Sequence, residues 1–396
     1  MFSLLLAVIY LAFIGLGLPD SLLGAAWPSM YPGMGVPVSY AGIVAMIIAG
    51  GTIVSSLHAH RFIARFGTGI VTAASVFLTA VGLFGFSLST AFWMLCLWAV
   101  PYGLGAGAVD AALNHFVALH YASRHMSWLH CFWGVGATVG PYVIGWALAV
   151  RNSWAFGYMT IGFFQVALTA VLLVSLPLWR KKEGSLLSGG SGAAKPLTVR
   201  GALQIRGVRQ VLIAFFAYCA LESTAGLWAS SYLVLHKGFE VEAAARWASL
   251  FYLGITLGRF LNGFVTDRFG NRAMIRFGMA VIAVGLTAIL LPGRTDAAAL
   301  AGLVLTGLGC APIYPCIIHE TPRNFGEDHS RAIIGIQMAS AYVGSTFMPP
   351  LFGSLADAVS IGLYPVFLLL CLVLMAAMTE RLNRLVTNRG RPAGGR

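Results

Sequence analysis

The sequence predicts an all-α membrane protein, with twelve transmembrane helices arranged as two pseudo-symmetric six-helix bundles. Composition, the spacing of apolar blocks and an internal repeat carry that expectation. Of the 396 residues, 58% are hydrophobic and 10% are charged, whereas a soluble domain carries roughly 25% charged residues. A soluble enzyme of this length is excluded. The apolar residues come in blocks of about 20 or more, each long enough to cross roughly 30 Å of hydrocarbon as a helix.

Apolar runs read against breakers place the spans near residues 3–28, 39–60, 68–88, 91–119, 127–149, 153–179, 208–235, 242–266, 273–292, 297–319, 331–356 and 360–380. The first lacks the basic start of a signal peptide and runs on past Asp20, so it reads as a span rather than a removed leader. Residues 180–207 form a long, basic, Gly/Ser-rich stretch that divides the chain six spans from six. The expected organisation is an N-terminal bundle (1–179), a cytoplasmic linker (180–207), a C-terminal bundle (208–382) and a basic cytoplasmic tail (383–396).

The net charge of +12, from 25 Lys and Arg against 13 Asp and Glu, raises the question of nucleic acid, and the positions of the charges answer it. With both termini cytoplasmic, 20 of the 25 bases fall in inside loops, the linker and the tail. Four (Arg151, Lys237, Arg246 and Arg294) fall outside, and Arg259 lies within a span. This asymmetry sets a multi-pass orientation with both termini cytoplasmic by the positive-inside rule, and a cell (inner) membrane is the expected location. The bases form a membrane-facing rim rather than a nucleic-acid groove. Cys96, Cys131, Cys219, Cys310, Cys316 and Cys371 all lie in apolar blocks without a C-x-x-C pair, which offers neither a disulfide framework nor a zinc site.

The two halves repeat each other at a drifting offset, the signature of a parallel two-bundle transporter. At offset 202, Asp20, Ser21 and Gly24 match Glu222, Ser223 and Gly226. At 203, Arg65, Phe66 and Gly67 match Arg268, Phe269 and Gly270. At 204, Gly103 and Gly105 match Gly307 and Gly309. At 208, Gly136, Thr138, Pro141 and Gly145 match Gly344, Thr346, Pro349 and Gly353.

The segment GFVTDRFGNR, from Gly263 to Arg272, follows the eighth span and resembles the loop signature G-x-x-x-D-R-x-G-x-R of the major facilitator superfamily. In the first half His60 and Ala64 replace its Gly and Asp, while Arg65 and Gly67 remain. The resemblance covers the whole chain and implies the major facilitator fold, rocking between inward-open and outward-open states. It also implies a cytoplasmic charge lock built from Asp267, Arg268, Arg272 and Arg65, carried mainly by the second half. GLPDSLLGAAWP in the first span, Asp110 and Asn114 in the fourth and LHCFWGVGATVGP in the fifth are similar to the fucose permease branch of sugar:proton symporters. That branch has an Asp in the first span and an acid-x-x-x-Asn in the fourth. Here Asp110 stands for its usual Glu, and Trp133 for an Asn.

Asp20, Asp110 and Glu222 sit inside spans, where a central charge costs about 3 kcal/mol on insertion scales, so they should face a water-filled cavity. Desolvation favours the neutral carboxyl and a nearby cation the charged one, so an acid alternating between such environments can load and release a proton. Proton coupling is the role expected of Asp20 and Asp110, with Glu222 grouped beside them and otherwise a substrate contact or a structural residue. Arg259 needs a counter-ion, either a cavity acid or carbonyls near the cytoplasmic gate, unless it snorkels to the interface.

A sugar site needs polar groups for hydroxyls and aromatic faces for the apolar side of the ring, near the midplane between the halves. The candidates are Asn114, His130, Trp133, Trp228, Tyr232, Tyr314 (the repeat equivalent of Asp110) and Gln337, which shares a face with Ser340 and Gly344. The aromatics also read as packing or interfacial residues. His58, His60, His120, His125, His236, His319 and His329 fall near span ends or in loops, where interfacial solvation explains them.

Metalloprotease, serine-hydrolase and Walker motifs do not occur. The expectation is a non-enzymatic secondary transporter that needs no cofactor beyond a proton gradient. It takes up a neutral sugar or similar small polar solute and acts as a monomer in the bilayer. A proton antiporter exporting drugs or other amphipathic compounds uses the same fold, and a non-transporting receptor or intramembrane enzyme predicts binding without flux.

Overall fold

The computed structural model describes residues 4–121, 123–183, 199–291 and 296–387. Twelve helical passes are present among them. The first pass is broken, with α1 (Leu4–Asp20) separated from α2 (Leu22–Met34) at Ser21. Pro19, in the last turn of α1, removes a backbone donor there. This pass extends beyond the expected end at residue 28 and stops at Gly35, which takes the left-handed conformation (φ 64°) of a helix C-cap.

The next five passes are α3 (Tyr40–Phe66), α4 (Thr68–Ser87), α5 (Phe92–His120), α6 (Ser123–Arg151) and α7 (Trp154–Val174). A short α8 (Leu176–Glu183) and α9 (Val199–Gln204) flank residues 184–198, so most of the expected linker lies outside the described residues. In the second half α10 (Val208–Leu235), α11 (Val241–Phe269) and α12 (Asn271–Leu290) form the seventh to ninth passes. The tenth is broken at Pro312 into α13 (Asp296–Cys310) and α14 (Ile313–Phe325), α15 (Glu327–Ala358) is the eleventh, and α16 (Tyr364–Thr387) is the twelfth. Ten of these passes are long and apolar enough to cross a membrane by length and composition alone. The other two, α11 and α15, carry Glu242, Arg246, Arg259 and Asn262 in one case and a run of polar residues from Glu327 to Arg331 in the other.

The repeat is visible in the backbone. Gly67 and Gly270, which link the second to the third pass and the eighth to the ninth, adopt φ 80°, ψ 158° and φ 79°, ψ 155°, a region open essentially to glycine alone. The loop-motif glycine is therefore a backbone requirement of the tight turn in both halves. Close helix crossings repeat as well. A side chain at Gly136 of α6 would strike the Ile14 carbonyl of α1, and one at Gly344 of α15 would strike the Phe216 carbonyl of α10. Ile14 and Phe216 differ by the same 202 residues as Asp20 and Glu222, so each half builds the same glycine-mediated contact.

The halves meet through α6 on α11, α3 on α15 and α2 on α10. At the end of the molecule away from the termini, Gly24 lies against the backbone of Gly226 and Leu227, and Gly42 against Pro350. There the Ser230 hydroxyl donates to the Ala25 carbonyl (3.3 Å) and the Ser39 amide to Asp357 (3.3 Å). Large apolar side chains such as Phe163, Leu173, Leu370 and Val373 stay exposed on the outer faces of α7 and α16, the inverse of a soluble surface.

Overpacking a close crossing costs about 1–3 kcal/mol. Gly344→Leu should therefore lower the thermal unfolding midpoint of the purified protein. Gly50→Ala, where a Cβ meets nothing within 4 Å, should leave it unchanged or raise it slightly.

Candidate functional site

The two bundles enclose a cavity of about 660 Å³, within the range of small-molecule sites. Its wall draws on both halves: Asp20, Tyr102, Asp110, His130 and Trp133 from the first, and Glu222, Tyr252, Arg259, Asn262 and Tyr314 from the second. Among the described lining residues the acidic groups are Asp20, Asp110 and Glu222, facing a single arginine. All four charges expected inside spans thus come together on one cavity.

Each has a partner. Trp133 Nε1 donates to Asp20 Oδ2 at 2.8 Å, and the Tyr102 hydroxyl approaches Oδ1 at 3.5 Å. Asn114 Nδ2 donates to Asp110 Oδ1 at 2.8 Å and to the Asp110 carbonyl at 3.0 Å. Arg259 Nη2 lies 3.5 Å from Glu222 Oε1, with both side chains largely buried. Its guanidinium also sits over the Trp133 ring, 5.0 Å from the centroid. Arg259 therefore takes a cavity acid as its counter-ion and does not snorkel. Through Trp133 it joins the two halves in one chain, Asp20–Trp133–Arg259–Glu222. His130 lies within electrostatic reach of Arg259, and Tyr252 of both Asp20 and Glu222. Tyr314 and Tyr342 lie within reach of Asp110.

Four expected substrate contacts lie elsewhere. Trp228 is fully buried, donates to the Pro349 carbonyl at 2.9 Å and packs on Phe352. Tyr232 stacks between His236 and Tyr364, with its hydroxyl 3.4 Å from the Ile289 carbonyl. Gln337 is fully buried and accepts from Thr321 at 3.0 Å. Asn114 is spent on Asp110. The reason is helical phase. On α15 the cavity stripe is Met338, Tyr342, Ser345 and Pro349, about 100° round the helix from Gln337. The Gln337 face, with Ser340 donating to the Leu212 carbonyl and Gly344 against Phe216, packs on α10. His319, expected at an interface, lines the cavity.

The charge lock also differs from the sequence pattern. Arg272 Nε donates to Glu320 Oε1 at 2.7 Å and Nη2 to Asn324 at 2.9 Å, while Asn271 donates to Glu320 Oε2 at 3.3 Å. Glu320, 3% exposed, ties α12 to α14 within one half. Arg268 and Arg65 are exposed and lie over their neighbours Phe269 and Phe66, and the Asp267 side chain lies outside those described. Arg276 grips Glu380 of α16 through two bonds of 2.6 and 2.7 Å. Glu320 and Glu380 carry no signal in the sequence because both lie close to the ends of expected spans, where an acid looks ordinary. Tyr102 and Tyr252 are equally silent, because nothing in a single sequence separates a cavity tyrosine from a packing one.

Two six-helix bundles closed at one end around a charged cavity define a membrane carrier. The description Major Facilitator Superfamily matches residues 9–248 and again 211–394, and the chain belongs to that family of transporters, which are not enzymes. It is similar to membrane protein MosC of Rhizobium meliloti, 24% identical over 92% of this chain and 88% of the relative. It is also similar to the cis,cis-muconate transport protein of Acinetobacter baylyi, 23% identical over 76% of this chain and 74% of the relative. The glucose/mannose transporter GlcP of Bacillus subtilis is 24% identical over 62% of this chain and 61% of its own length.

Removing one member of a buried ion pair strands the other, at about 3–5 kcal/mol. Glu222→Gln should therefore lower thermal stability by about 3 kcal/mol, and the double variant with Arg259→Gln should recover more than half of the loss. Equal stability of single and double variants would show that the two groups are not coupled.

Proposed function

We propose that the protein is a proton-coupled symporter that takes up a neutral sugar or a similar small polyol by alternating access. It is oriented in the cell membrane with both termini cytoplasmic. In that orientation the closed end is the outer gate and the cavity belongs to an inward-facing state. The observation that carries the reading is the pairing of Asp20 and Asp110 with neutral donors, Trp133 and Asn114, on the wall of a cavity shared by both halves. A cation would hold a carboxylate ionised, whereas a neutral donor leaves both protonation states within reach.

The charges also select among substrates. Three acids against one arginine already engaged by Glu222 disfavour an anion, so the muconate carried by one relative is a poor guide. The aromatic faces of Trp133, Tyr102 and Tyr252 and the polar groups of Ser223, Asn262 and Ser345 suit a hydroxylated ring. The sugar-transporting relative supports the same choice. The aromatic lining also suits an exported amphipathic cation, and this second reading is weaker because each acid already has a partner.

In proteoliposomes an inward proton gradient should drive sugar accumulation, and addition of sugar should alkalinise the outside medium. Asp110→Asn should reduce gradient-driven accumulation to the level of protein-free vesicles while equilibrium exchange persists. Undiminished proton-driven accumulation in that variant would overturn the assignment, and acidification on substrate addition would favour antiport.

A further inference from the structure

Behind Asp20, on the side away from the large cavity, lies a second pocket of about 10 Å³, room for one water and no more. Asp20 and Tyr102, with Leu16, Pro19 and Ala106, line both spaces and form the partition between them. The small pocket is completed by Thr79 and Gln165, with Val76, Ala106 and Val109 as apolar walls.

Gln165 is held in one orientation by the backbone of α1. In a helix the Gly15 carbonyl would accept from the amide of residue 19, but residue 19 is proline and has none. Gln165 Nε2 supplies the missing donor to that carbonyl. Its Oε1 is thereby left as a buried acceptor, in a residue 1% exposed, with no partner among the described residues, and the residue forms part of the pocket wall. The Thr79 hydroxyl spends its hydrogen on the Ser75 carbonyl, 3.1 Å away. The pocket thus presents acceptors and calls for a donor of two hydrogens.

We infer that the pocket binds a single water that donates to Gln165 Oε1 and to the Asp20 carboxylate, making Gln165 a positioning residue for the proton-coupling acid. This rests on the symport reading for its consequence in transport, not for the site itself. Among the lining residues the titratable groups are Asp20 itself and Tyr102, whose hydroxyl already donates to Asp20, so the water holds the carboxylate and passes no proton onward. The titratable and charged groups that otherwise face Asp20 are Tyr102 and Asp110 of α5 and Tyr252 of α11, with Arg259 beyond Trp133.

The direct test is a structure of the full chain at a resolution that shows ordered internal waters. A single water peak within hydrogen-bonding distance of Gln165 Oε1 and Asp20 is expected, and an empty pocket in a map showing other buried waters overturns the proposal. The functional test is Val109→Ile, which adds a methyl group to the pocket wall and leaves Asp20 and Gln165 in place. Loss of one hydrogen bond to an ionised group should move the pH of half-maximal proton-driven uptake upward by about one unit, a tenfold effect. The sugar KM under acidic, saturating conditions should change less than about twofold. An unchanged pH profile overturns the positioning role. If wild-type uptake falls when choline replaces Na⁺ at a fixed proton gradient, and Val109→Ile abolishes that dependence, the pocket holds a cation and the water assignment fails. Failure of proton-driven uptake in the wild type overturns the symport reading instead, and the density measurement still decides the site.

Discussion

A charge placed in hydrocarbon must find a partner or water, and the centre of this protein is organised by that requirement. Four charged side chains line the cavity between the bundles. Glu222 and Arg259 compensate each other, while Asp20 and Asp110 are held by an indole and an amide. Because Arg259 also covers the Trp133 ring, the chain from Asp20 to Glu222 crosses from one bundle to the other. Asp20 of one bundle is thereby linked through side chains to Glu222 of the other.

The internal repeat supplies the scaffold on which this asymmetry sits. Asp20 and Glu222 occupy equivalent places in their bundles, each near a close glycine crossing of the same design. Their partners are not equivalent. The repeat counterpart of Arg259 is Ser56, whose hydroxyl donates to the Gly107 carbonyl, and that of Trp133 is Ala341. One half thus carries a compensated acid and the other an acid bonded to a neutral group, so a symmetric fold holds two carboxylates of different character.

Proline takes part in the same economy of donors. Pro312 interrupts the tenth pass and Pro19 the end of α1, the latter on the cavity wall, where a side chain can satisfy what the helix leaves open. Gln165 does so for Gly15, and its position follows from a residue 146 places earlier in the chain. In the same way Arg272 finds Glu320 only because the broken tenth pass brings α14 against α12.

The sequence by itself determined the passes, their division into six and six, the glycine turns at Gly67 and Gly270, and the four charges that had to share a cavity. Each of these follows from a local cost: apolar length, a backbone conformation open to glycine, or a charge in a low dielectric. Only the tertiary structure decided which amides and aromatics face that cavity. Gln337 and Met338 are neighbours in sequence yet look in different directions, because the phase of α15 is set by its packing on α10. Trp228 and Tyr232 pack away from the cavity that Glu222, on the same helix, lines. The pairings of Arg259 with Glu222, Trp133 with Asp20 and Arg272 with Glu320 were likewise decided by which helices the close crossings bring together. A single chain records the residues that need partners but not the distances between them.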